Sequence, residues 1–273
     1  TLLNLGRYYC RMHDFRRSLD TLQKALISVT KNFDNTDIYI NPDIEDATDR
    51  MLLAPIIKRK AYVFFNYYDK VTGNIIDLKT SLKCYKMANK LQEKINISLN
   101  NEKTKFNFLA NQKVMLNNTV ELALDIYELT SNYQYLKEAF IYAEKSKAIV
   151  LLTHINESQA KQFAGIPDSL IYLEQSIKNE IAALDFQINN LDEADYTSPY
   201  VVNPIKSRLF ELTRKEEELI RLFEKQFPGY YNLKYNRSVA PLTLIQTSLE
   251  ENQALIEYTV TWKELYTFVI TRD

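Results

Sequence analysis

Glycine and proline are scarce in this 273-residue chain, at four and seven. Their scarcity excludes a turn-rich all-β sandwich and leaves room for long, uninterrupted helices. Cysteine and histidine are scarcer still, with two of each. Cys10 and Cys84 lie inside helical patterns beside aromatic residues, so they read as free buried thiols rather than a disulfide framework. Two cysteines and two histidines scattered along the chain offer no ligand spacing for a metal. Gly6, Gly73, Gly165 and Gly229 are isolated and form no phosphate-cradling loop. No cofactor is therefore expected. Charge of one sign is also lacking: 34 Lys and Arg stand against 35 Asp and Glu, a net charge of −1. Nothing in that balance marks a nucleic-acid or membrane surface. No apolar run reaches the roughly 20 residues that span a bilayer, and no secretory signal opens the chain, so a cytoplasmic location is the default expectation.

What is present is enough for a packed core, since 46% of residues are hydrophobic and 25% charged. Residues 2–30 carry Leu5-Gly6, Tyr9, Phe15, Ser18, Leu22 and Ala25 at the spacing of a tetratricopeptide repeat. In that pattern the small Gly6, Ser18 and Ala25 let two antiparallel helices approach, while Tyr9, Phe15 and Leu22 fill the space between them. A second pair is predicted from about Asn41 to Glu93. Asn41-Pro42 serves as its cap and first helical position, Val71 to Asn74 as its turn, and Ser81, Tyr85 and Ala88 repeat the packing pattern. A third pair covers about Asn101 to Thr153, with Tyr133 opening its second helix and Ala139 and Ala143 at the small positions. The marker alanines Ala25, Ala88 and Ala143 fall about 60 residues apart, well beyond the roughly 34 of the standard repeat, so the repeats are lengthened.

Stacked helical pairs leave a concave face that binds segments of other proteins. Asn4, Arg7 and Arg11 share one side of the first helix and are the candidate partner-binding residues, with a solvated helix face as the competing explanation. Tyr62, Phe64, Phe65, Tyr67 and Tyr68 cover more than one face of their helix, and core packing accounts for most of them. Farther on, Leu173, Ile177, Ile181, Leu184, Ile188 and Leu191 form one apolar stripe, and Ile205, Leu209, Leu212, Leu219, Phe223 and Phe227 a second. Joined by the polar linker Asp192 to Asn203, they predict an antiparallel helical hairpin that Pro228-Gly229 stops. A helix near Leu242 to Leu249 then precedes two β-rich runs, Leu255–Val260 and Leu265–Ile270, joined at a turn over Thr261 to Glu264. Two strands alone are marginal, and the chain opens inside a repeat, so it reads as a piece of something longer.

AEKSKA at Ala143–Ala148, AGIPDSL at Ala164–Leu170 and ALIEYTVTWKELYTFVIT at Ala254–Thr271 together resemble the CHAT-domain proteins, in which tetratricopeptide repeats precede a caspase-like domain. The resemblance covers about Leu136 to Asp273. It implies a mainly α chain in three parts: a tetratricopeptide-like superhelix over 1–153, a helical hairpin over 154–232, and over 233–273 the incomplete start of an α/β caspase-like domain. It also implies a downstream cysteine peptidase or a degenerate relative that signals without cleaving. The repeat pattern and the lack of a complete site make the chain itself an interaction scaffold or regulatory arm, non-catalytic, that takes a protein or peptide partner in the repeat groove and neither nucleic acid nor membrane. The alternative makes it part of a caspase- or separase-like cysteine peptidase whose catalytic His and Cys lie beyond residue 273. Within the chain, Cys10 and His13 are three apart on a helix but lack an oxyanion loop, and His154 suits the carboxyl end of a helix dipole. Neither reads as a catalytic residue.

Overall fold

The computed structural model describes residues 1–98, 102–147, 149, 166–189, 191, 196, 198–234 and 239–272. It is mainly helical, with one two-stranded antiparallel sheet near the C-terminus. Two compact units divide the chain. The first holds Thr1–Ser98, Phe108–Lys147 and Val239–Asp273, and the second Leu99–Asn107 and Ala148–Ser238.

The first unit is built on α1 (Leu2–Arg11), α2 (Phe15–Ser28), α3 (Arg50–Tyr67), α4 (Ile75–Ser98), α5 (Glu102–Thr130) and α6 (Tyr133–Ser146). The helices are joined in pairs by one recurring device. His13, Gly73 and Ser131 take left-handed backbone, with φ of 59°, 58° and 51°. Each is followed at once by an Asx residue whose side-chain oxygen accepts an amide of the next helix. Asp14 accepts from Arg17 N at 3.1 Å, Asn74 from Ile76 N at 3.0 Å and Asn132 from Gln134 N at 3.0 Å. The left-handed residue turns the chain back, and the cap satisfies an otherwise orphaned donor of the returning helix.

Packing inside the pairs repeats as well. Gly6 is buried, and a Cβ on it would stand 2.9 Å from the Leu22 side chain, so only glycine lets α1 come this close to α2. Ser18 donates its hydroxyl to Gly6 O at 2.7 Å, and Ser81 of α4 donates to Ala61 O of α3 at 2.8 Å. Phe15, Leu22 and Ala25 are buried on the first pair, Tyr85 and Ala88 on the second, and Ala139 and Ala143 on the third. Those are the positions at which the sequence pattern expects core. Phe64 is also buried, whereas Tyr62 is exposed.

The second pair begins later than Asn41-Pro42. Helix α3 opens at Arg50, capped by Asp49, and residues 44–46 form only a short 3-10 turn. The reason is a tertiary demand on Asn41. Its Oδ1 accepts from Lys60 Nζ at 2.8 Å and its Nδ2 donates to Cys84 Sγ at 3.3 Å, so the side chain is engaged away from any helix end. The buried Lys60 ammonium also donates to Gln23 Oε1 at 2.6 Å and Ile40 O at 3.1 Å. Gln23 in turn donates to the carbonyls of Asn35 and Ile40. This polar cluster fastens the long 29–49 connection to α2, α3 and α4, and that connection supplies much of the lengthening of the repeat.

Helix α6 ends at Ser146. Lys147 leaves the helix with ψ of 133°, and its ammonium pairs with Glu144 and with Glu257. The expectations that fall on Ala148, on 150–165 and on Asp192–Asp195 lie outside the described residues. Strands β1 (Ala254–Val260) and β2 (Leu265–Thr271) pair antiparallel from Ala254↔Thr271 to Val260↔Leu265, with the turn at Thr261 to Glu264. The sequence grouped these strands in a third part, and in the structure they belong to the same compact unit as the helical pairs. Phe268 meets Phe140 of α6 edge to face at 5.7 Å, and Asn117 Nδ2 of α5 donates to Val260 O at 3.2 Å.

The second unit is a helical hairpin of α7 (Asp168–Asn189) and α8 (Pro199–Gln226), followed by α9 (Pro228–Lys234). Glu180 pairs with Arg208 while the earlier Glu174 accepts from Tyr230 OH at 2.5 Å, which fixes the antiparallel sense. Ile177, Ile181, Ile205, Leu212, Leu219 and Phe223 are buried along the predicted stripes, whereas Leu173 is exposed. Pro228 ends α8 and opens α9, as suits a ring that fixes φ and has no N–H to donate. In the first unit, α10 (Leu242–Ser248) precedes the strands.

Candidate protein-binding cleft

Helices α1 and α3 face α4 and α5 across a cleft of about 490 Å³, within the size range of ligand sites. The α3 face is set by helical spacing: Met51, Ala54, Pro55, Lys58, Arg59 and Tyr62 recur every three or four residues. From α5 come Phe108, Asn111, Met115 and Asn118 at the same period, and from α4 Tyr85, Gln92 and Ile95. Arg7 of α1 closes one end. A smaller adjoining cleft of about 330 Å³ shares Arg7, Arg59 and Tyr62 and adds Cys10, Arg11, His13, Phe15, Asn66 and Lys70. Among the described residues, no Asp or Glu lines either cleft.

The cations here are held without carboxylates. The Arg59 guanidinium lies 5.3 Å from the centre of the Tyr62 ring, and Arg7 Nη1 donates to Asn4 Oδ1 at 3.3 Å. Among the described residues, Arg7, Arg11, Lys58 and Arg59 form no ion pair. Burial first, and then the neighbouring Arg59 charge, push the Lys58 ammonium below its usual range. Tyr85 is held by burial at about 12, against the opposing hydrogen bond from Asn118, so it stays neutral at physiological pH.

Of the residues singled out from sequence, Arg7 and Arg11 line the clefts, and Asn4 stands outside the lining as the acceptor for Arg7. Lys58, Arg59, Tyr62, Tyr85, Gln92 and Asn118 were not singled out as groove residues. Their signal was available as polar side chains at helical spacing on helices whose remaining faces are apolar, but a single sequence does not say which polar stripe faces a groove. Cys10 and His13 both border the smaller cleft. Burial raises the Cys10 thiol even with Arg59 nearby, which opposes thiolate formation, and the His13 ring packs edge-on against Phe15 at 5.7 Å.

Among the described residues no group of three His, Cys, Asp or Glu could hold a metal ion, and no helix is long and apolar enough to cross a membrane. No protein-family model, curated protein or solved structure matches the chain.

Proposed function

We propose that this chain is a protein-interaction scaffold, itself non-catalytic, whose helical pairs form a tetratricopeptide-like stack that takes a segment of a partner protein in the cleft between α1, α3, α4 and α5. The observation that carries this reading is the cleft itself. It is of ligand size, it draws on four helices, and it combines exposed Tyr62 with unpaired cations, amides and methionines. Stacked helical pairs expose such a concave surface as a consequence of their geometry. Selection from a displayed library of random peptides of about ten residues tests the proposal. Peptides with micromolar affinity are expected, weakened at least about tenfold by Tyr62→Asp. Failure to enrich any peptide, or binding indifferent to Tyr62→Asp, would remove the reading.

A second reading makes the chain the regulatory arm of a CHAT-type, caspase- or separase-like cysteine peptidase, and one observation favours it. The outward face of the two-stranded sheet exposes Ile256, Tyr258, Val260, Leu265 and Val269, while the opposite face buries Thr259, Phe268 and Ile270. A two-stranded sheet with a bare apolar face and two open edges is what an α/β domain would extend and cover. Its test is the proteolytic activity of a longer protein containing this chain, compared with and without Tyr62→Asp. No activity in either form counts against it.

A further inference from the structure

Elsewhere in the first unit, the half-buried lysines Lys86, Lys145 and Lys147 are each matched to an acid, whereas exposed ones such as Lys24 and Lys113 form no ion pair among the described residues. Lys86 pairs with Glu138 at 2.8 Å, Lys145 with Glu93 at 2.8 Å, and Lys147 with Glu144 and Glu257. The cleft breaks that habit. Lys58 and Arg59 are half-buried and adjacent, Arg7 of α1 lines the same cleft and, with Arg59, the adjoining one that Arg11 borders, and among the described residues no carboxylate lines either. Burial chiefly, and then the adjacent Arg59 charge, disfavour the Lys58 ammonium in this partly desolvated site. An anion seated there would offset that, because a carboxylate accepting from guanidinium makes the stronger, charge-assisted class of hydrogen bond.

The facing wall narrows the class of anion. Helices α4 and α5 contribute the amides of Gln92 and Asn118 together with Ile95 and Met115. A cationic wall opposite a wall of amides and apolar side chains suits an extended chain whose alternate side chains are acidic and apolar. It does not suit a polyphosphate, which needs cations tracking along its whole length.

Resting on the cleft reading above, we infer that the partner segment is an acidic, extended peptide, its carboxylates over Arg7 and Arg59 and its backbone along Asn118. The test is fluorescence anisotropy on the whole chain with a labelled peptide of about ten residues alternating Glu with Leu. Its comparison probes are the same peptide with Gln for Glu and a single-stranded uridine oligonucleotide of similar charge. The Glu peptide is expected to bind at least about tenfold tighter than the Gln peptide, and more weakly as salt rises. Arg59→Glu and, separately, the exposed Arg7→Glu are each expected to cost about tenfold or more with thermal unfolding unchanged.

Equal binding of the two peptides overturns the acidic preference, as does indifference to both charge reversals. Oligonucleotide binding that exceeds the Glu peptide and is lost in the same variants assigns the cleft to nucleic acid and also overturns it. If library peptides of other composition bind in a Tyr62-dependent way while the Glu peptide does not, only this inference falls. If no peptide binds, the scaffold reading falls with it.

Discussion

Replacing Lys60 with methionine isolates the energetic cost of a buried ammonium. The wild-type side chain is fully buried on α3, donates to three neutral oxygens, and has no carboxylate as a hydrogen-bond partner. Burial lowers it to about 8 in the folded chain, against the 10.5 ordinary for a solvated lysine. Because the folded value is depressed, the unfolded chain binds more protons between roughly pH 8 and 10.5, and stability must rise as pH increases through that window. Working the linkage between pH 7 and 9.5 gives a gain of about 2 kcal/mol from this one group. The neighbouring tyrosines act in the opposite sense at higher pH. Tyr39 and Tyr85 are each raised to about 12, so their contribution is present below pH 10 and lost as pH climbs through 12, which makes pH 9.5 the useful upper limit. Lys60→Met keeps the volume and removes the charge, while leaving Gln23 Oε1, Ile40 O and Asn41 Oδ1 short of a donor at about 1 kcal/mol or more each. Its stability at pH 7 is therefore a contest between relief and loss, but its pH slope is not. Denaturant unfolding of both proteins at pH 7 and 9.5 should show wild type gaining about 2 kcal/mol more than Lys60→Met. Parallel slopes would refute the placement of a charged Lys60 in a dry cluster.

Gly6→Ala should destabilise the chain by about 1–3 kcal/mol, since the new Cβ would meet the fully buried Leu22 at 2.9 Å, and thermal unfolding would read the loss. Phe268→Ala should cost about 3 kcal/mol or more by removing the ring that packs against Phe140, and hydrogen exchange should then speed selectively in β1 and β2. Exchange in β1 and β2 that stays at the wild-type rate would mean that the Phe140 contact does not hold the strands.

What the sequence made legible is what neighbouring residues decide. Leu5-Gly6 with Ser18 and Ala25 encodes a close helix pair within 30 residues, and the same spacing in Ser81, Tyr85 and Ala88 marks the second. Alternating β-branched and aromatic residues around Thr261 to Glu264 mark the strands equally well. The misplaced boundaries are those a distant residue decides. Asn41 carries every local sign of a cap, yet Lys60 and Cys84 claim its amide, so the helix waits for Asp49. Lys145-Ser146-Lys147 continues a helical pattern, yet Glu257, some hundred residues later in the chain, draws Lys147 out of it.

The turns show the same division in finer detail. Gly73-Asn74 announces itself, because glycine takes left-handed backbone freely. His13-Asp14 and Ser131-Asn132 build the same turn with residues that ordinarily avoid φ near 50–60°, and only the structure reveals them as equivalents. Three pairs thus share one connection whose first residue differs, His13, Gly73 or Ser131, while the second is Asp or Asn in each, although sequence spacing alone scatters them. Under the proposed stack, the cleft follows from this regularity: equivalent turns would set each pair in a similar posture and bring one face of α1, α3 and α5, which line the cleft, toward a common side. Arg7, Arg11, Lys58 and Arg59 line the two adjoining clefts and form no ion pair among the described residues, whereas the half-buried Lys86 and Lys145 elsewhere on the unit are each matched to a glutamate. On the reading proposed above, a partner's carboxylates would supply the counter-charge that the chain itself does not place there.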